Sequence, residues 1–184
     1  MTDLQVITTA RLRLIPATEA HLRAALVSNE TLAAATGRVV PASWPPEHFD
    51  KAAVQFTLDW LTRRRADPAW GFYFIEVPGP NGEPGTLVGA GGFKGAPDSD
   101  SIAEIGYSVL PDFQRRGYAL EAVRGWVDFA FASRKAQMIC AHTLASGAPS
   151  IGVLEKAGFK LVGKGRDPGA PAGEEVVRFE LMRK

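Results

Sequence analysis

The sequence predicts a mixed α/β fold, and three stretches support that prediction. Residues 103–110 alternate apolar with small or polar side chains, which is typical of a half-buried strand. Residues 117–130 then repeat apolar side chains at about 3.6 positions, the period of an amphipathic helix. Upstream, residues 70–77 and 86–93 are rich in aromatic and β-branched side chains and flank a Pro-Gly-Pro-Asn-Gly turn, so they predict an antiparallel hairpin. Hairpins combined with a strand–helix–strand unit favour a mixed sheet covered by helices.

The other elements follow from the same periodicities. Thr18 is a good helix cap, because its hydroxyl can accept a hydrogen bond from a backbone N–H in the first turn. No internal repeat or linker divides the chain, so we expect one domain over residues 1–184. The remaining predicted elements are a strand from Val6 to Ile15, a helix from Thr18 to about Ser28 with a further turn from Glu30 to Ala35, a long helix from Glu47 to Ala66, a strand from Ala136 to Leu144, a short helix from Ser150 to Ala157, and strands from Phe159 to Val162 and from Val176 to Met182.

The composition is that of an ordinary globular protein, with 46% apolar and 22% charged residues. The net charge is +1, from 21 basic and 20 acidic residues, so bulk charge gives no reason to expect nucleic-acid or membrane binding. Cys140 is the single cysteine, and the sequence shows no Cys/His cluster, so we expect neither a disulfide nor a bound metal. The start of the chain lacks an apolar signal core, and we expect a cytoplasmic protein.

The junction from Gln114 to Ala119 has the features of an anion site. A helix start presents backbone N–H groups without intrahelical partners, and the helix dipole adds partial positive charge. Gly117 lets a ligand approach the backbone, while Arg115 and Arg116 add two positive charges. Together these features predict a pyrophosphate site. The alternative is an ordinary strand-to-helix turn with a capping glycine and two solvated arginines.

At these residues the chain resembles the GNAT superfamily of N-acetyltransferases. The family's coenzyme A motif, Gln/Arg-x-x-Gly-x-Gly/Ala, is filled by Gln114, Gly117 and Ala119. The segment SIGVLEKAGF from Ser150 to Phe159 is a second match. The opening TTARLRLIP from Thr8 to Pro16 is similar to the ribosomal-protein N-terminal acetyltransferase (RimJ/RimL-like) branch.

This resemblance implies a fold and an activity. The fold would be a mostly antiparallel sheet of about seven strands in which the strands at Ala103 and Ala136 splay apart in parallel. Coenzyme A would enter that gap. The activity would be transfer of an acetyl group from acetyl-CoA to a primary amine, on a protein N-terminus or a small molecule, by a monomer or homodimer. The alternative function is a non-catalytic protein that binds or senses acyl-CoA.

The resemblance also assigns residues to the coenzyme. The backbone amides around Gly117 would hold the pyrophosphate, and the free edge of the central strand would pair with the pantetheine amides. A backbone N–H near Val109 would donate to the thioester carbonyl. The candidate coenzyme-binding residues are Tyr107, Ser108, Val109, Gln114, Arg115, Arg116, Gly117, Tyr118, Ala119, Leu120 and Ser150.

An acceptor amine is protonated at pH 7 and must lose a proton before it attacks. Glu104 lies on the central strand, where several GNAT enzymes carry an acid, and we favour it as the proton acceptor. His142 lies on the neighbouring strand, where relatives often carry a glutamate, and histidine is the side chain that ordinarily changes charge near neutral pH. The alternatives are an ion-paired surface carboxylate for Glu104 and a hydrogen-bonded strand residue for His142.

Four positions are less certain matches to the family. Leu154 stands where many relatives have a tyrosine that protonates the leaving thiolate, and Gly147 stands where an asparagine is usual. Ser150 is the remaining polar group near the thiolate, although it could simply cap a helix. Trp44 could line the acceptor site, or it could be a loop aromatic packed on the core.

Overall fold

One open sheet with helices on both faces makes up the fold. The structure is a computed structural model that describes residues 5–63, 67–167 and 170–184. In these ranges the strands are β1 (Ile7–Thr8), β2 (Arg13–Pro16), β3 (Phe72–Val77), β4 (Thr86–Phe93), β5 (Ile102–Val109), β6 (Met138–Leu144), β7 (Lys160–Lys164) and β8 (Val176–Met182). The helices are α1 (Glu19–Val27), α2 (Asn29–Thr36), α3 (Lys51–Arg63), α4 (Tyr118–Ala132) and α5 (Ala148–Lys156).

The strand order is β1-β2-β3-β4-β5-β6-β8-β7, and only β5 and β6 are parallel neighbours among the described strands. This confirms the mixed, mostly antiparallel sheet. The sheet has eight strands instead of about seven, because the segment predicted as one strand from Val6 to Ile15 doubles back. The Thr9 N–H donates to the Leu12 carbonyl at 3.0 Å, and the Leu12 N–H donates to Thr9 Oγ1 at 3.1 Å. The resulting turn separates β1 from β2.

The long helix begins later than its sequence pattern indicates. The prediction placed its start at Glu47, but α3 begins at Lys51. His48 has a φ of +63°, which is incompatible with a right-handed helix, and Asp50 caps the helix by accepting a hydrogen bond from the Ala53 N–H at 2.9 Å. The predicted end at Ala66 lies outside the described residues.

Two apolar layers hold the helices against the sheet. Helices α4 and α5 cover one face, where Trp126 of α4 is fully buried. Gly91 of β4 makes room for that ring, since a Cβ at Gly91 would lie 2.7 Å from it. Leu22, Leu32 and Leu58 pack α1, α2 and α3 against the other face. Full burial of each such leucine contributes about 1.5–3 kcal/mol.

Within the described residues, no helix is both long and apolar enough to cross a membrane.

Candidate active site

The centre of the site is a gap between β5 and β6. These strands pair from Ile102–Met138 to Ile105–Ala141, and there the pairing stops. Strand β5 continues to Val109 and β6 continues to Leu144, so the two ends splay apart. On its other edge β5 remains paired with β4 as far as Val109. Residues 106–109 therefore present an edge that β6 does not pair, as expected for the predicted parallel pair.

The turn before α4 exposes the backbone donors predicted from the sequence. Gly117 has a φ of +82° and caps α4, which begins at Tyr118. The first intrahelical bond runs from the Glu121 N–H to the Gly117 carbonyl at 3.0 Å. The N–H groups that precede Glu121 in the first turn therefore have no acceptor within the helix. Arg115 is exposed with a φ of +60°.

Two other side chains of the turn are used to shape it. The Gln114 amide donates to the Val109 carbonyl at 2.9 Å and so ties the turn to the end of β5. Arg116 donates to the Asp112 carbonyl at 3.1 Å, and its guanidinium lies 5.6 Å from the centre of the Phe113 ring. Gln114 and Arg116 still border the turn, but some of their hydrogen-bond donors already bind backbone carbonyls of the protein.

Arg11, from the turn between β1 and β2, binds the turn before α4 and the first turn of that helix. The sequence alone gave no role for this residue. Its guanidinium donates to Glu121 Oε2 at 2.8 Å and to the Arg116 carbonyl at 3.0 Å, and it lies 5.0 Å from the centre of the Tyr118 ring. Burial alone would raise the pKa of Glu121, but hydrogen bonds from Thr9 and Arg11 outweigh burial and lower it. The only sequence signal was the position of Arg11 inside the opening motif TTARLRLIP.

A groove of about 1020 Å³ runs between the β1–β2 hairpin and α4. It is lined by Arg11, Gly117, Leu120 and Glu121 among others, so it reaches the turn before α4. It is not lined by Glu104 or His142. This groove therefore lies away from Glu104 and His142, the two candidate proton acceptors.

The two candidate proton acceptors form one hydrogen-bonded pair. Parallel pairing places Glu104 opposite Cys140, so Glu104 and His142 lie on the same face of the sheet. His142 Nδ1 is 2.9 Å from Glu104 Oε1. The Glu104 side chain is 28% exposed and the His142 side chain 8% exposed. The pair lies where the β5–β6 pairing ends.

Lys94 is a third member of this cluster and was missed from the sequence. It follows β4, and its Nζ lies 2.6 Å from Glu104 Oε1. Burial alone would lower the pKa of Lys94, but its interactions with Glu104 and Asp167 outweigh burial and raise it. Its Nζ is also 3.7 Å from Asp167 in the loop after β7. No motif marks Lys94, because its partner depends on the register between β4 and β5.

Cys140 brings a thiol into the same cluster, although the sequence showed no Cys/His grouping. Donor atoms of Glu104, Cys140 and His142 all lie within 4.8 Å of one another. Burial raises the pKa of Cys140 to about 11, so in the metal-free protein it is a neutral thiol at neutral pH. The ammonium of Lys94 beside Glu104 also opposes a second cation.

Ser150 lies inside α5, not at its cap. The structure starts α5 at Ala148 with Gly147 as the capping residue, so the helix-cap alternative is wrong. Pro149 suits the first turn because it lacks an N–H, which would have no intrahelical partner there. The Ser150 carbonyl accepts a hydrogen bond from the Tyr107 hydroxyl at 3.1 Å, which connects β5 to α5. Leu154 is 1% exposed in the core.

Burial raises the pKa of Tyr107 to about 12, so its hydroxyl stays protonated at neutral pH. Sequence reasoning included Tyr107 only for its backbone edge. Its hydroxyl is a hydrogen-bond donor at the start of α5, on the face of the sheet that α4 and α5 cover.

Trp44 packs on the core. Its side chain is 7% exposed, and its ring lies 6.2 Å from that of Phe49 and 5.9 Å from that of Phe74, measured between centres. This packing is what the second of the two possibilities predicts, and a role for Trp44 in the acceptor site stays a prediction. The structure therefore groups Glu104 with His142 and places Trp44 in the apolar layer beneath α1 and α3.

Comparison with known proteins agrees with this geometry. A family model described as the acetyltransferase (GNAT) domain matches residues 11–160. The chain is 30% identical over 118 residues to a Bacillus subtilis protein named "Uncharacterized N-acetyltransferase YjdG"; the match spans 64% of this chain and 67% of that protein.

Solved structures share the fold. The ribosomal L7/L12 α-N-protein acetyltransferase RimL in complex with coenzyme A is 17% identical, with a TM-score of 0.66 and coverage of 97% of this chain and 98% of that one. The microcin C7 self-immunity acetyltransferase MccE, in complex with acetyl-CoA and AMP, is 12% identical, with a TM-score of 0.68 and coverage of 99% and 98%. The chain belongs to the GNAT family and is an N-acetyltransferase.

Proposed function

We propose that this enzyme moves the acetyl group of acetyl-CoA to a primary amine by direct attack of the amine on the thioester. The observation that carries the proposal is the end of the β5–β6 pairing at Ile105 and Ala141. At that point an unpaired strand edge lies next to the hydrogen-bonded pair of Glu104 and His142. A pantetheine chain and a proton acceptor are both needed there.

The coenzyme would be held at two places. Backbone N–H groups from Arg115 to Leu120 would bind the pyrophosphate, helped by the helix dipole and by the charges of Arg115 and Arg116. The edge formed by Tyr107, Ser108 and Val109 would bind the pantetheine amides as an added strand does. A backbone N–H of this edge would then stabilise the negative charge on the thioester oxygen.

Glu104 and His142 would take the amine proton as a unit. The sequence presented them as alternatives, and their 2.9 Å contact supports a joint role in which one residue orients the other. Ser150 is the polar side chain proposed to meet the coenzyme or its sulfur. Because Leu154 is buried and apolar, it cannot protonate the thiolate.

The acceptor class remains as broad as a primary amine, either a protein N-terminus or a small molecule. RimL is named for an acceptor, ribosomal L7/L12, but its 17% identity supports a shared fold only. The alternative of a non-catalytic acyl-CoA-binding protein gains no support from the site or from the relatives.

The test is release of free thiol from acetyl-CoA across a panel of amines, with the acetylated product identified by mass spectrometry. The panel should contain N-terminal peptides, free amino acids, polyamines and aminoglycosides. Glu104→Gln and His142→Gln should each lower kcat by about 10² or more, the scale of general-base loss, with little change in the Kd for acetyl-CoA. Glu83→Gln, an exposed carboxylate in the turn between β3 and β4, is the matched control. Full turnover in both site variants on a confirmed acceptor would rule out the proposed base.

A further inference from the structure

Lys94 lies above Gly106, the first residue of β5 that does not pair with β6. Its backbone N–H donates to the Glu104 carbonyl at 2.9 Å, which extends the β4–β5 ladder by one residue. Its side chain lies on the same face as Glu104 and is 47% exposed. A Cβ added at Gly106 would meet only the Lys94 Cε, at 3.8 Å, within the 4 Å searched. The lysine stem therefore borders open space above Gly106.

One oxygen of Glu104 receives two donors. Oε1 lies 2.6 Å from Lys94 Nζ and 2.9 Å from His142 Nδ1. A glutamate is ordinarily ionised at neutral pH, and an ionised carboxylate can only accept hydrogen bonds. The hydrogen between Glu104 and His142 therefore belongs to Nδ1. In the neutral imidazole the lone pair is then on Nε2.

Nε2 is available for a new partner. Among the described residues it has no hydrogen-bond acceptor or donor, whereas Nδ1 is occupied. Gly165, in the loop after β7, faces this edge of the ring: a Cβ there would lie 2.4 Å from His142 Cδ2 and 3.2 Å from Nε2. The Gly165 backbone therefore packs closely against this edge of the ring, and a side chain there would displace the imidazole.

The charges around the ring explain why a lysine is needed. Glu104 from β5 faces the imidazole directly, and Lys94 from the end of β4 offsets its charge. Strand β8 contributes Arg178 and Glu180, which pair with each other at 2.7 Å, and the loop after β7 contributes Asp167. On β6 itself Cys140 is a neutral thiol. Without Lys94, Glu104 would stand beside His142 with its charge no longer offset, which favours the imidazolium, a form with no lone pair.

We infer that Lys94 is a positioning residue: by binding Glu104 Oε1, it holds His142 with its hydrogen on Nδ1, so that Nε2 is the atom that takes the proton from the acceptor amine. The inference rests on the proposed acetyl transfer and deepens it. As the amine nitrogen bonds to the acetyl carbon, its proton passes to Nε2, and the C–S bond breaks with its electron pair leaving on the thiolate. This assigns Glu104 the orienting role and His142 the acceptor role, the reverse of the preference drawn from the sequence.

Nitrogen-15 NMR of the imidazoles tests the arrangement without any acceptor. In the parent protein near pH 7.5, His142 should be neutral with the hydrogen on Nδ1. Lys94→Met removes the charge and keeps the length of the side chain, so it should increase the protonated fraction of His142 severalfold at a fixed pH near neutrality. Lys94→Arg should restore the parent spectrum in large part. Lys135→Met, an exposed lysine after α4, is the matched control and should change nothing.

Kinetics on a confirmed acceptor supply the second readout. Lys94→Met should move the acid limb of the kcat profile to higher pH, while the Kd for acetyl-CoA stays within twofold of the parent value. A parent spectrum with the hydrogen on Nε2, or a Lys94→Met protein with unchanged His142 signals, would overturn the inference. If Lys94→Met does not fold, the spectra of the parent, Lys94→Arg and Glu104→Gln decide. An absence of product across the amine panel would count against the proposed function and leave the NMR result standing.

Discussion

Substituting Gly117 tests the proposed coenzyme site most directly. At a φ of +82° a side chain is strained, and asparagine and aspartate tolerate that region better than other residues. Gly117→Asn and Gly117→Asp therefore carry nearly the same backbone cost and differ by one negative charge. A Cβ at this position would lie 3.3 Å from Arg11 Nη2, so both side chains meet the same guanidinium.

The size of the charge effect follows from Coulomb's law. A carboxylate about 5 Å from one phosphate charge, at an effective dielectric constant of about 20, costs about 3 kcal/mol. The turn is exposed, and Arg11 offsets part of the charge, so roughly half of that cost should remain. We expect Gly117→Asp to bind acetyl-CoA about tenfold more weakly than Gly117→Asn, a difference of about 1.4 kcal/mol.

Calorimetric titration with acetyl-CoA, at low and at moderate salt, measures the difference. Added salt should reduce the difference in Kd between Gly117→Asp and Gly117→Asn, because screening weakens repulsion between exposed charges. Circular dichroism and thermal unfolding of both variants establish that each is folded. Equal affinities for the aspartate and asparagine proteins would refute a phosphate site at this turn.

Three further predictions concern the same turn and the core. Arg115→Ala and Arg116→Ala should each weaken acetyl-CoA binding less than Gly117→Asp does, and each should reduce the dependence of Kd on salt. If either variant binds acetyl-CoA at low salt as tightly as the parent, that arginine does not contact the phosphates. Trp44→Ala should lower the free energy of unfolding by about 3–5 kcal/mol in urea titrations, whereas Trp44→Phe should leave the KM for the acceptor unchanged if the ring serves only the core. Because the pKa of Glu121 is lowered in the folded state, its contribution to stability is present above its ordinary value of 4.5 and is lost as pH falls through the folded value; Glu121→Gln should flatten that part of the stability profile, and an unchanged profile would show that the carboxylate is not stabilised.

The sequence was sufficient for the elements whose signals are local. Alternation in β5 and the helical period of α4 depend on neighbouring residues, so the central strand–turn–helix was predicted closely. The predicted start of α3 was wrong because apolar periodicity says nothing about the positive φ at His48 or the cap at Asp50. The split between β1 and β2 was missed because the Thr9–Leu12 turn lacks a glycine or proline.

The site was predicted in parts, and the missing information was the strand register. Glu104 and His142 could be chosen by residue type, but their contact depends on Glu104 lying opposite Cys140 in a parallel pair. Lys94 meets Glu104 because β4 and β5 pair with Phe93 opposite Ile105. Arg11 and Glu121 are separated by 110 positions, and the solvent-facing pattern of each alone gives no sign of the other.

Strand β5 could contact both proposed substrates, acetyl-CoA and the amine. Its side chains alternate between the two faces of the sheet, whereas its backbone N–H and C=O groups point along the plane of the sheet. Glu104 points to the face with Lys94 and His142, whereas Tyr107 donates to Ser150 on the face covered by α4 and α5. The backbone edge of residues 106–109 that does not pair with β4 lies in the plane of the sheet and faces β6. A pantetheine chain paired to that edge would not need to displace either side chain. The departure of β6 from β5 after Ile105 would therefore create the proposed coenzyme site and expose the proposed proton acceptor in one structural step.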